Sequence, residues 1–177
     1  MKKYEFTGET KEIRLLFRTA TLHRIRATVA FGIVEVGDLG GWIEKEENLS
    51  HEGKAWVCGD AEVWGNAKVW GNAKVWGNAE VCGDAKVWGN AEVFSASHVL
   101  VIGAIGSRND FTTFYRDKDN EITVKCGCFL GKIDRFLEKV TQTHGDSKYA
   151  LVYRAAVEVA KLQIDLSGEA PKDADEE

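Results

Sequence analysis

The chain has 177 residues, 44% hydrophobic and 29% charged, which suits a globular protein of one domain or a core with two small appendages. Its formal charge of −5 is concentrated in residues 168–177, GEAPKDADEE, with five acids and one Lys; the remainder is nearly neutral, and without a basic stripe nucleic acid is excluded as the expected partner. No apolar run approaches a membrane span and the first residues, MKKYEFTGETKEIR, lack the apolar core of a signal peptide, so no membrane partner and a cytoplasmic location are expected.

Residues 1–48 contain TLHRIRATVAF, which reads as strand, followed by the Gly-rich run GDLGGWIEKEENLS. Gly40-Gly41 reads as a tight turn rather than a phosphate loop. The segment is expected to form an N-terminal β cap over the structure that follows.

From Ala55 to Ala96 one six-residue unit repeats seven times: AWVCGD, AEVWGN, AKVWGN, AKVWGN, AEVCGD, AKVWGN, AEVFSA. Ala and Val, two apart, fall on one side of an extended segment, while the residues between and after them face the other way. Gly-Asn and Gly-Asp supply a sharp corner after each short strand. A strand and a corner every six residues predict a triangular parallel β-helix whose equivalent positions stack about 4.8 Å apart. Two degenerate hexads, LSHEGK at 49–54 and SHVLVI at 97–102, bring the total to nine, or about three coils.

Eighteen residues per coil sort the outward side chains onto three faces. The first carries Lys68, Lys86, Trp70, Trp88 and Glu52; the second Trp56, Lys74, Glu92, Cys58, Trp76 and Phe94; the third Glu62, Glu80, His98, Trp64, Cys82 and Leu100. One face is basic and another acidic, and both bear apolar columns of the kind that mark an interaction surface. Lys68, Lys86, Trp70 and Trp88 of one copy against Glu62, Glu80 and Trp64 of the next would close a ring. The plain alternative is a solvated strand whose Trp residues pack under the terminal segments, since exposed ion pairs contribute little. At the spacing of neighbouring coils Trp70 and Trp88 form an apolar ridge; a base can lie over it but not between its rings.

The unit VWGNAK resembles the hexapeptide-repeat proteins, which implies a left-handed helix, an aliphatic residue inside with a small one two positions before it, and a homotrimer. The Trp after Val in four of the seven units departs from that family, where a small or acidic residue is usual.

After the repeats, FTTFYR, the turn DKDNE and EITVKC read as a β-hairpin. Leu130, Ile133, Phe136, Leu137 and Val140 fall at helical spacing, and Gly145 is placed to end that helix. From about Ser147 a second helix carries the stripe Tyr149, Tyr153, Val157, Ala160 and Ile164. The organisation expected is therefore a β cap at 1–48, the repeat at 49–102, a small α+β module at 103–166 and a disordered acidic tail at 167–177. Cys58 and Cys82 lie on different faces, and Cys126-Gly-Cys128 has no matching pair at zinc spacing, so neither a disulfide nor a metal is expected, nor any cofactor.

The order Leu39-Gly-Gly-Trp-Ile-Glu44, Asn48-Leu-Ser50, the GDA and GNA hexads, Cys126-Gly-Cys-Phe129, His144-Gly-Asp and Lys148-Tyr-Ala150 resembles a group of small proteins encoded by bacteriophages and prophages. That group is largely without assigned function, so the resemblance implies origin, in a bacterial host cell, more than mechanism; taken with the apolar outer faces and the lack of a catalytic constellation, it leads us to expect a non-enzymatic protein that sequesters a small, nucleotide-like ligand or blocks a host defence protein. Its candidate contacts are Trp70, Trp88, Lys68 and Lys86, with Arg24 and Arg26 from the cap. The alternatives are a structural scaffold, or an acyltransferase of the hexapeptide-repeat kind with a His base. For the latter, His98 is expected outward on the third face and His51 inward, neither beside a loop excursion, while His23 and His144 lie outside the repeat. No catalytic residue is therefore assigned.

Overall fold

The computed structural model describes residues 2–167, so the expected acidic tail, beyond Ser167, lies outside the described residues. The protein is mainly β, with a two-helix module at its C-terminal end. Strand β1 (Tyr4–Arg14) forms an antiparallel hairpin with β2 (Thr19–Ala27), which pairs antiparallel with β3 (Leu39–Ile43). Seven two-residue strands follow: β4 (Trp56–Val57), β5 (Glu62–Val63), β6 (Lys68–Val69), β7 (Lys74–Val75), β8 (Glu80–Val81), β9 (Lys86–Val87) and β10 (Glu92–Val93).

Each short strand pairs in parallel with the one three units away. The ladders run β3–β5–β8, β4–β7–β10 and β6–β9, the last continued by a bridge from Val69 to Leu49. The Ala and Val of every unit from Ala55 to Val93 are 0–1% exposed and form one hydrophobic core with Ile25, Ile43 and Leu49. Glycine sets the corners: the six repeat glycines hold φ between 62° and 77°, where any other residue is strained.

Three expectations are corrected. Gly40 and Gly41 form no tight turn; they lie in β3, which bridges the hairpin and the first parallel ladder. A Cβ on Gly40 would come within 2.4 Å of Ile25, and one on Gly41 within 2.6 Å of the Ala61 carbonyl, so glycine there permits close approach. The unit at 49–54 is shifted by two residues: Leu49 pairs with Val69 and is buried, whereas His51 does not point inward but stacks on Tyr4 with ring centroids 4.3 Å apart. Residues 97–102 do not extend the ladders. Ala96–His98 is a 3-10 turn, and Val99 begins strand β11 (Val99–Ile105), antiparallel to β12 (Asp110–Arg116).

β12 continues antiparallel into β13 (Ile122–Cys126) and β14 (Phe129–Lys132), giving a four-stranded sheet with a second core. Helix α1 (Ile133–His144) buries Ile133, Phe136 and Val140, and ends where the Gly145 N–H donates to the Thr141 carbonyl at 2.9 Å. Helix α2 (Lys148–Gln163) buries Ala150, Tyr153, Ala156, Val157 and Ala160; Tyr149 of the expected stripe is exposed. β12 anchors this module to the repeat, the Tyr115 hydroxyl donating to the Trp88 carbonyl at 2.7 Å and the Lys86 N–H to Thr113 Oγ1 at 3.1 Å.

The N-terminal segment carries a buried charge. Lys3 Nζ donates to the Ala55 carbonyl at 2.7 Å and lies 4.8 Å from the Phe31 ring centroid. Burial lowers its pKa from 10.5 to about 8. The folded chain holds this proton less tightly than the unfolded one, so stability rises with pH between about 8 and 10.5 and falls as pH drops through that window. Relative to Lys3→Met, which cannot titrate there, urea denaturation of the wild type should show a gain of roughly 3 kcal/mol across the window. A difference independent of pH would place the ammonium in water.

Candidate functional site

The β6–β9 ladder presents Lys68 beside Lys86, and one step further along each unit, Trp70 beside Trp88. Both columns follow from the repeat, because positions two and four of each hexad point away from the Ala–Val core. The two Trp rings are 5.3 Å apart and tilted by 38°, too close to admit a planar group between them, so they form a single apolar ridge.

β12 and β13 wall this face on one side, and the result is a cleft of about 670 Å³, within the range of small-molecule sites. Lys68, Lys86, Trp70 and Trp88 line it together with Phe111, Lys125 and three carboxylates, Glu47, Asp84 and Asp110. Lys125 is buried and holds its ammonium 4.8 Å over the Trp88 ring. Its pKa lies below the ordinary lysine value because burial disfavours the charge and Lys86 repels it.

Lys86 Nζ lies 4.0 Å from Asp110, whereas Lys68 makes no ion pair among the described residues. Like charges side by side in a ladder are mutually unfavourable. Three ammonium groups and three carboxylates thus share the cleft; the Lys125 ammonium lies over one indole and also donates to the Gly127 carbonyl, so Lys68 is the cation best placed to meet an anionic group. Asp84 accepts a hydrogen bond from Asn66 at 3.2 Å and keeps further acceptor capacity.

The other expected contacts are elsewhere. Arg24 lies over the Trp42 ring at 5.3 Å and Arg26 pairs with Glu5 at 2.6 Å, both on the N-terminal strands and neither lining the cleft. Arg24 and Arg26 thus belong to the N-terminal sheet, and the fold does not bring them to the cleft of Lys68 and Trp70. Lys125, Phe111 and Asp110 escaped the sequence reading because antiparallel pairing in the C-terminal sheet, distant in sequence, brings them to the repeat.

Of the interface candidates, Glu62 already pairs with Lys11 of the same chain at 2.8 Å, and Glu80 stands exposed beside it. Trp64 is half-buried. Trp56 is not an open face residue, because Phe31 and Tyr4 cover it. His98, expected outward, is 2% exposed, its Nδ1 accepting from the Phe94 N–H at 3.4 Å and burial lowering its pKa.

Among the described residues, three carboxylates converge at Asp117, Asp119 and Glu121. The Lys132 ammonium lies among them, 2.5 Å from Asp117 and 2.6 Å from Glu121, which makes the cluster a clasp for the β12–β13 turn. All four cysteines are free. No described helix is long and apolar enough to cross a membrane. Compared with known proteins, the chain matches no family model and no curated protein.

Proposed function

We propose that this is a non-enzymatic, phage-encoded binding protein that takes up a small nucleotide-like ligand in the Lys68–Lys86–Trp70–Trp88 cleft and so withholds it from a bacterial anti-phage defence. The observation that carries this reading is the convergence of three ammonium groups, an aromatic ridge and three carboxylates in one cleft of about 670 Å³. The ammonium groups suit phosphate, the ridge suits a base laid flat across it, and the carboxylates suit ribose hydroxyls. The phage origin rests on the order of motifs from Leu39 to Ala150.

The architecture under this reading is a triangular parallel β-helix of the hexapeptide-repeat kind, supported by the 18-residue offset of the ladders and the buried Ala and Val columns. The protein acts as a homotrimer in the host cytoplasm. A panel of cyclic and ADP-ribose-derived nucleotides tests the function: at least one should raise the melting temperature and titrate calorimetrically at one site per chain. No shift with any of them overturns the reading.

A further inference from the structure

The β1–β2 hairpin closes through residues 15–18, where the Leu15 N–H donates to the Arg18 carbonyl at 2.8 Å and Leu16 and Phe17 stand at the tip. Leu16 is 87% exposed and Phe17, at 94%, is the most exposed large apolar side chain among the described residues. The tip is also held in place: the Arg18 guanidinium forks onto both carboxylate oxygens of Glu44, which in turn accepts from the Gly65 N–H at 2.7 Å. A bare aromatic on a fixed support has the properties of an interface anchor, since little ordering remains to be done on binding.

The same chain carries an apolar recess on a different face. Phe31 and Ile33 overhang Trp56, Cys58 and Trp76 of the β4–β7 ladder and enclose about 140 Å³. That volume is close to the roughly 150 Å³ of an apolar cavity known to admit one benzene ring. Phe17 presents such a ring and, being bare, does not reach the recess of its own chain.

We propose that Phe17 of one copy inserts into the Phe31–Trp56–Trp76 recess of the next. A contact between two different patches is heterologous, so it closes into a ring or runs on as a filament. It rests on the reading that the chain self-associates, and it puts the join at the hairpin tip rather than between the Lys and Glu columns.

Both residues to be changed are exposed, Phe17 at 94% and Ile33 at 55%, so Phe17→Asp and Ile33→Asp should fold as the wild type does, with unchanged circular dichroism. Light scattering should give the wild type a multiple of the 19.6 kDa chain mass, with association weakened roughly thirtyfold or more in each variant. Mixed together, the two should form a one-to-one dimer, because one keeps a recess and the other a tip. A monomeric wild type up to hundreds of micromolar overturns self-association and this contact together. An oligomeric wild type whose mass is unchanged by Phe17→Asp, or variants that fail to pair on mixing, overturns the contact alone.

Discussion

Val75→Asp is expected to abolish the cooperative unfolding transition of the repeat, leaving no folded baseline in urea at 25 °C. Val75 is 0% exposed and pairs on both sides, with Val57 and Val93, in the middle of the β4–β7–β10 ladder. A carboxylate there has no cation within the Ala–Val core to pair with, and a buried, unpaired charge costs several kcal/mol, comparable to the whole stability of a domain. The next residue supplies the control. Trp76 points away from that core and meets Phe94 edge-on at 6.1 Å, so Trp76→Ala should leave a folded protein weaker by about 1–2 kcal/mol. If Trp76→Ala proved the more damaging, the inward and outward positions would have to be exchanged.

Removing both ammonium groups of the ladder, in Lys68→Gln/Lys86→Gln, should weaken nucleotide binding by about a hundredfold or more. Each hydrogen bond to a charged group contributes about 1.5–3 kcal/mol, so the loss of two spans roughly two to four decades in Kd. The protein should stay folded, because Lys68 is exposed and makes no ion pair among the described residues, and the ion pair of Lys86 is a 4.0 Å contact with Asp110. Titration calorimetry with the best nucleotide of the panel measures the change, and Arg24→Gln/Arg26→Gln should leave Kd untouched. Equal losses in both double variants would indicate a diffuse charge effect and count against the cleft.

Much of the fold follows from spacing alone. Ala and Val at a separation of two, repeated every six residues with Gly at the corner, leave one way to bury the apolar side, and the ladders pair as that period requires. The C-terminal helices were legible for a similar reason, with apolar residues at helical spacing and a glycine at the end of α1. The period stops informing where it breaks. Leu49 and His51 could each claim the inward position, and the choice was made by Asn48, fully buried and donating from Nδ2 to the Ala67 carbonyl at 2.8 Å. Val99–Ile102 could extend the ladders or start another sheet, and β12 supplied the better partner, offering a complete antiparallel edge.

For the candidate site, sequence by itself determined the columns, Lys68 with Lys86 and Trp70 with Trp88, because a parallel ladder of fixed period must set equivalent residues side by side. Only the tertiary structure decided which columns are walled into a cleft, which are covered, and which stand bare. Those outcomes depend on where β12, β13 and the N-terminal hairpin dock. Docking is governed by shape and by contacts such as Tyr115 to Trp88 and Lys11 to Glu62, between residues far apart in the chain, and no local pattern encodes them.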